Sequence, residues 1–197
     1  LAEKYGFYAS VGIHPHEAEN FSNKTLDALK ALCLNPKVIA IGEIGLDYYK
    51  GFSSKKAQLN AFVSQIELAK ELDKPIIIHD RDAHGKILEI LNKYKDELRG
   101  VMHCFSGSLE MAKQCIKLGF LISFAGPVTF QNSVKLHKIA KEIPLDYVLV
   151  ETDSPWLAPQ SKRGKRNEPA YIVEIINKIA ELRGEAFNMI AEATFEN

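Results

Sequence analysis

The run Val38-Ile39-Ala40-Ile41 is apolar at every position. It lacks the alternation of a strand that keeps one face in water, and strands buried on both faces belong to parallel sheets covered by helices. Runs of similar character recur at Tyr5–Ile13, Pro75–His79, Gly100–Cys104, Phe120–Ala125 and Tyr147–Asp153. Between them, apolar residues return at helical spacing. Leu26, Leu29, Ala31 and Leu32 form one such stripe, behind capping side chains at 20–23 and ended by Asn35-Pro36. Leu59, Phe62, Val63, Ile66 and Ala69 form a longer one, opened by Ser53 and Ser54. Further stripes run through Ile87, Leu88 and Leu91, and through Met111, Cys115 and Leu118 behind a Ser108 cap. Others lie near 133–143, 170–182 and 185–193, the last two punctuated by Gly184. Six strand–helix units in strict alternation require a parallel α/β sheet with crossover helices. An open doubly wound sheet and a (β/α)8 TIM-type barrel both satisfy this, and no GxGxxG or P-loop signature favours the first.

Bulk properties exclude several classes. An apolar fraction of 46% with 25% charged residues is that of an ordinary folded protein, not a disordered one. Lys+Arg and Asp+Glu each total 25, so any affinity for a polyanion must come from a local patch. Apolar runs are too short and interrupted for a membrane span or a signal peptide. The three cysteines, Cys33, Cys104 and Cys115, form no CxxC pair, which fits reduced thiols in a cytoplasmic protein.

Five of the strand runs finish on a residue able to bind a metal: His14, Glu43, His79, His103 and Asp153. Singly, each has a bland explanation, because buried polar groups need only a partner. Five at equivalent positions of successive units point to one end of a barrel, where the active sites of that fold lie. Imidazole and carboxylate donors without thiolate suit zinc, manganese, iron or nickel, with magnesium less natural for imidazole. Cys104, on the opposite strand face to His103, fits the core. His16, His84 and His137 lie away from strand ends, and His137, among lysines, is expected in solvent. One of Asp80, Arg81 and Asp82 is placed to orient a ligand imidazole, although a helix N-terminus would favour Asp82 equally well. The only dense basic stretch, residues 161–169, follows the sixth strand, where a phosphate clamp competes with a merely solvated loop.

Gly12-Ile13-His14-Pro15-His16, Ile41-Gly42-Glu43-Ile44-Gly45-Leu46-Asp47-Tyr48, Ile78-His79-Asp80-Arg81-Asp82-Ala83, His103-Cys104-Phe105-Ser106-Gly107, Glu151-Thr152-Asp153-Ser154-Pro155-Trp156 and Arg166-Asn167-Glu168-Pro169 follow one another along the chain. Together they resemble the successive motifs of the TatD family of metal-dependent deoxyribonucleases. The resemblance implies an amidohydrolase-like barrel with a divalent metal centre, in which Glu43, His79, His103 and Asp153 are ligands and His14 contacts a substrate phosphate. Against that pattern, residues 1–197 make a single hydrolase barrel domain. The resemblance implies that the first one or two βα units, with the His-x-His pair they often carry, and the extreme C-terminus are absent from it; Leu1-Ala2-Glu3-Lys4 reads as the tail of a helix.

The expected activity is hydrolysis of DNA phosphodiester bonds through a metal-activated water. One or two divalent ions, magnesium or manganese for activity with zinc or nickel also suited to the site, would serve Asp153 and Glu43 as catalytic groups. Asp153 would take the proton of the water and Glu43 would hold or bridge the ions. His14, Arg81 and Arg166 would neutralise phosphate charge. The resemblance further implies exonucleolytic attack from the 3′ end of single-stranded DNA. Neither a membrane nor an obligate protein partner is expected. Two rival readings are an amidohydrolase of C–N or C–O bonds, in which Glu43 would stand where relatives often bridge their ions with a modified lysine, and a non-catalytic fragment.

Overall fold

The computed structural model describes residues 2–197, so the reading of Leu1 as helical lies outside the described residues. The chain packs as two compact units, one up to Met102 and the other from His103. The first contains α1 (Ala2–Tyr5), β1 (Ala9–Val11), α2 (Asn23–Leu32), β2 (Val38–Asp47), α3 (Lys55–Glu71), β3 (Ile76–Arg81), α4 (His84–Lys93) and β4 (Gly100–Met102). Its strands are parallel and neighbour one another in chain order. Ile41, Ile44, Leu46, Ile76 and Ile78 are fully buried, as are Phe62, Ile66 and Ala69 on α3. Each large side chain so buried contributes about 1.5–3 kcal/mol.

β1 is shorter than the apolar run predicts. Tyr5 ends a helix, Gly6 turns the chain at φ +73, and strand pairing starts only at Ala9. β2 is longer than predicted, so Glu43 lies inside the strand rather than at its end. A bulge accommodates it: Ile41 pairs with Ile76 but Ile44 with Ile78, three steps on β2 against two on β3. Both flanking glycines are required by contact. A Cβ on Gly42 would lie 2.5 Å from the Ile77 Cβ, and one on Gly45, at φ +142, would lie 2.0 Å from the His79 carbonyl oxygen.

The second unit contains α5 (Leu109–Lys117), β5 (Phe120–Phe124), α6 (Val134–Glu142), β6 (Val148–Val150), α7 (Ile172–Arg183) and α8 (Phe187–Glu196). β5 and β6 pair in parallel, Ile122 against Val148 and Phe124 against Val150. Phe120, Ile122 and Phe124 pack in a core with Met111, Ala112 and Cys115 of α5 and Ile175 and Ile179 of α7 among its buried residues. Ser108 caps α5 as expected, accepting from the Met111 amide. Gly184 ends α7 in the left-handed region at φ +69. β6 stops at Val150, so Glu151, Thr152 and Asp153 leave the ladder and enter a loop. Among the described residues, no helix is long and apolar enough to cross a membrane.

Candidate metal centre

In the first unit, the loop after β1 delivers His14, the β2 bulge delivers Glu43, and β3 delivers His79. Nδ1 of His79 lies 2.7 Å from Oε1 of Glu43 and 3.3 Å from Nε2 of His14, with 3.8 Å between the last two. One donor atom from each residue falls within 4.8 Å of the others. Two atoms each about 2.0–2.2 Å from one ion can be at most about 4.4 Å apart, a spacing that the Glu43 oxygen and the His79 nitrogen meet.

The hydrogen bonds around the cluster separate the roles of its nitrogens. Asp47, fully buried, ends β2. Its Oδ1 accepts from the Tyr49 and Lys50 amides at 3.0 and 2.8 Å. Its Oδ2 faces Nε2 of His79 at 3.2 Å and Nε2 of His16 at 2.7 Å. In the tautomer that directs Nε2–H of His79 to Asp47, Nδ1 keeps a lone pair able to bind an ion. Nδ1 of His14 accepts the His16 amide at 3.2 Å, so the ring proton of neutral His14 resides on Nε2, the atom facing Glu43 and His79. His14 therefore presents a donor to the cluster, while Glu43 and His79 present lone pairs. Burial, then the neighbouring His79, lowers the His14 pKa from 6.5 to about 4 against the opposing pull of Glu43, which keeps this ring neutral. Burial alone would raise the Asp47 pKa, but the Lys50 amide, His16 and His79 outweigh it and hold the carboxyl below its ordinary range.

Two glutamines of α3 fix the backbone that carries these groups. Gln65 accepts from the Ile13 amide at 2.6 Å and donates to the Ile13 carbonyl at 3.2 Å, directly before His14. Gln58 does the same for Asp47, at 2.8 and 3.0 Å. Both glutamines are buried, in a helix that the apolar stripe describes only as core-facing.

The second unit holds His103, one residue past β4, and Asp153, beyond β6. Nδ1 of His103 faces Oε2 of Glu151 at 2.7 Å, and Nε2 lies 3.5 Å from Oδ1 of Asp153. The other oxygen of Glu151 accepts the Cys104 amide at 2.5 Å. Cys104, at φ +41, thus sits in a half-buried turn and not on a core-facing strand position. Asp153 also adopts positive φ, at +56. Arg166 lines an open cleft of about 470 Å³ with Ser154, Pro155, Asn167, Glu168 and Pro169.

Several expectations about neighbouring residues change. Asp80 faces Nδ1 of His84 at 2.8 Å, and Asp47 faces Nε2 of His79. His16 is part of the first cluster although it follows no strand, its ring meeting that of His14 edge-on at 4.2 Å. Nε2 of His137 lies 2.9 Å from the Val128 carbonyl, so the ring is half-buried and bonded instead of solvated. The Arg81 guanidinium stacks on Tyr49 at 4.1 Å.

The model of TatD related DNases matches residues 1–197. The chain belongs to the TatD family of metal-dependent hydrolases. It is 47% identical over 199 residues to the uncharacterized metal-dependent hydrolase YabD of Bacillus subtilis, spanning 100% of this chain and 78% of the relative. It is 38% identical over 204 residues to the 3′–5′ ssDNA/RNA exonuclease TatD of Citrobacter koseri, with 100% and 78% covered. The crystal structure of the TatD homologue YJJV from Escherichia coli superposes with a TM-score of 0.93 at 34% identity, covering 100% of this chain and 77% of that one. The TIM-barrel-type α/β class expected for a TatD protein is thereby established. Asp47, Glu151, Gln58 and Gln65 are the site-supporting residues that the sequence reading did not assign. A signal for the first two was present, since Asp47 and Glu151 each close or follow an apolar run as the assigned ligands do.

Proposed function

We propose that this TatD-family hydrolase cleaves phosphodiester bonds of single-stranded nucleic acid, removing nucleotides from the 3′ end. The observation that carries the reading is the convergence of Glu43 and His79, each offering a lone pair, with the Nε2–H of His14 beside them. Glu43 and His79 would hold a divalent ion in the first unit, and we assign His103 and Asp153 as further ligands in the second. A bound ion would supply Lewis-acid polarisation of the phosphate and a lowered water pKa. Nε2–H of His14 in the first unit and the Arg166 guanidinium in the second are each suited to pair with a phosphate oxygen. Asp153 is assigned to accept the proton of the attacking water, and Asp47 and Glu151 to keep the two imidazoles in register. Arg81, stacked on Tyr49, is available to the phosphate backbone through the outer edge of its guanidinium.

The test is digestion of 3′- and 5′-labelled single-stranded DNA with magnesium or manganese, beside Glu43→Gln and Asp153→Asn. Loss of the 3′ label first, and at least about 100-fold slower cleavage in both variants, on the scale of losing one electrostatic contact to a transition state, is the expected result. Unchanged cleavage by Asp153→Asn would remove its assignment. Hydrolysis of amide substrates in place of DNA would overturn the reading.

A further inference from the structure

Trp156 is the chain's single tryptophan, and 71% of it is exposed. A large ring is normally used to bury apolar area, so an indole left open on a well-held backbone calls for an occupant. The backbone here is well held. The Trp156 amide donates to the Asp153 carbonyl at 2.8 Å, closing a turn directly after that carboxylate. Asn167, 2% exposed, donates its side-chain amide to the Thr152 and Trp156 carbonyls, each at 2.6 Å, and its backbone amide to Pro155 at 3.0 Å. The same asparagine and Pro155 line the 470 Å³ cleft that Arg166 borders.

The cations of this loop are sorted by their surroundings. Lys162 lies over the Tyr171 ring at 5.4 Å and Arg163 over Phe130 at 5.0 Å. Among the described residues, no hydrogen bond, ion pair or ring contact engages the side chain of Arg166, the cation that lines the cleft. A flat apolar face, an open cleft and a guanidinium without a partner, all on one loop, match the repeating chemistry of a single-stranded polynucleotide, a π-face followed by a phosphate.

We propose that Trp156 is a stacking platform for a nucleobase of the substrate, with Arg166 taking an adjoining phosphate, so that this loop selects unpaired strands. The inference rests on the nuclease reading and names the part of that site which distinguishes a single strand from a duplex. Bases in a duplex have both faces covered by their neighbours, and only an unpaired or frayed base can lie on the indole.

Because the chain has one tryptophan, its fluorescence reports on this position alone. The full chain is titrated, with magnesium present, with a phosphorothioate thymidine hexamer that resists cleavage, with the same backbone lacking bases, and with a blunt duplex. The hexamer is expected to quench the emission, while the abasic strand and the duplex leave it nearly unchanged. Trp156→Ala should weaken hexamer binding by about 5- to 150-fold, matching about 1–3 kcal/mol for one stacked base, and Trp156→Phe should recover most of it. Arg166→Ala should weaken hexamer and abasic strand alike and flatten the salt dependence. Binding of the hexamer without quenching, or equal affinity of wild type and Trp156→Ala, overturns the stacking proposal even if DNA is digested. A wild-type chain that neither binds nor digests any strand overturns the nuclease reading itself.

Discussion

The two carboxylate–histidine clusters hold their imidazoles by opposite nitrogens. In the first unit Asp47 faces Nε2 of His79 and leaves Nδ1 towards Glu43. In the second, Glu151 faces Nδ1 of His103 and leaves Nε2 towards Asp153. The supports also differ in depth. Asp47 is fully buried and gathers two amides and two imidazoles, whereas the Glu151 side chain is 21% exposed and gathers one of each. An orienting carboxylate in the interior therefore becomes part of what keeps the fold together, while one at the surface acts mainly on its imidazole.

Stability should divide the two clusters most sharply. Asp47→Ala strands two amides and two imidazoles and should cost about 3–5 kcal/mol. Glu151→Ala should cost about 1.5–3 kcal/mol or less, the range for hydrogen bonds to a charged group. Urea unfolding of the two variants in chelator checks this, and equal losses would show that depth is not what separates the clusters. The next effect is acid sensitivity. The folded-state pKa of His14, about 4, lies below its ordinary 6.5, so the unfolded chain takes up the proton first as pH falls. Metal-free protein should then lose about 3 kcal/mol between about pH 6.5 and pH 4 from this group. Nothing is lost above that window, and Asp47, with its pKa lowered, adds its own loss only in more acidic solution. A His14→Gln variant should show a shallower decline of stability across the same window; identical slopes would contradict a half-buried, neutral His14.

Metal affinity offers a finer comparison. Asp47→Asn and Glu151→Gln should each weaken manganese binding about 10–100-fold in calorimetry, as loss of an imidazole's partner does elsewhere. No change in one of them would mean that its histidine does not bind the ion. The last expected effect concerns how each unit fixes its loop. Asn167→Ala should lower stability by about 2 kcal/mol, about 1 kcal/mol for each of the two side-chain hydrogen bonds it removes, while leaving manganese affinity as it was. A loss of affinity would show that the loop at 152–167 also positions Asp153.

What was legible in the sequence follows from range. The alternation of runs such as Val38–Ile41 with stripes such as Leu59 to Ala69 is local, and it was sufficient for a parallel α/β chain. Caps were equally legible, Ser54 and Ser108 holding the helix starts they announce. Strand ends were not, because β1 and β6 pair over only three residues each and the bulge at Glu43 depends on contact with β3. The pairing of Asp47 with His79, 32 residues away, and of Glu151 with His103, 48 away, is likewise a product of the sheet and invisible to spacing along the chain. Gln58 and Gln65 were hidden for the opposite reason, polar residues in a buried stripe whose partners are backbone groups of another element.

The extra residue in β2 has a consequence for how this strand tolerates change in length. Removing Gly42 would give equal steps between Ile41 and Ile44 on one side and Ile76 and Ile78 on the other, healing the ladder. Residue 43 would then lie beside Ile77, on the strand face that Gly45 and His79 share. A shortened β2 should therefore pair more regularly with its neighbour and keep its acid on the side of His79, but lose the bulge that now sets the distance between the two side chains. Between Ile41 and Ile44, the number of residues matters as much as their identity.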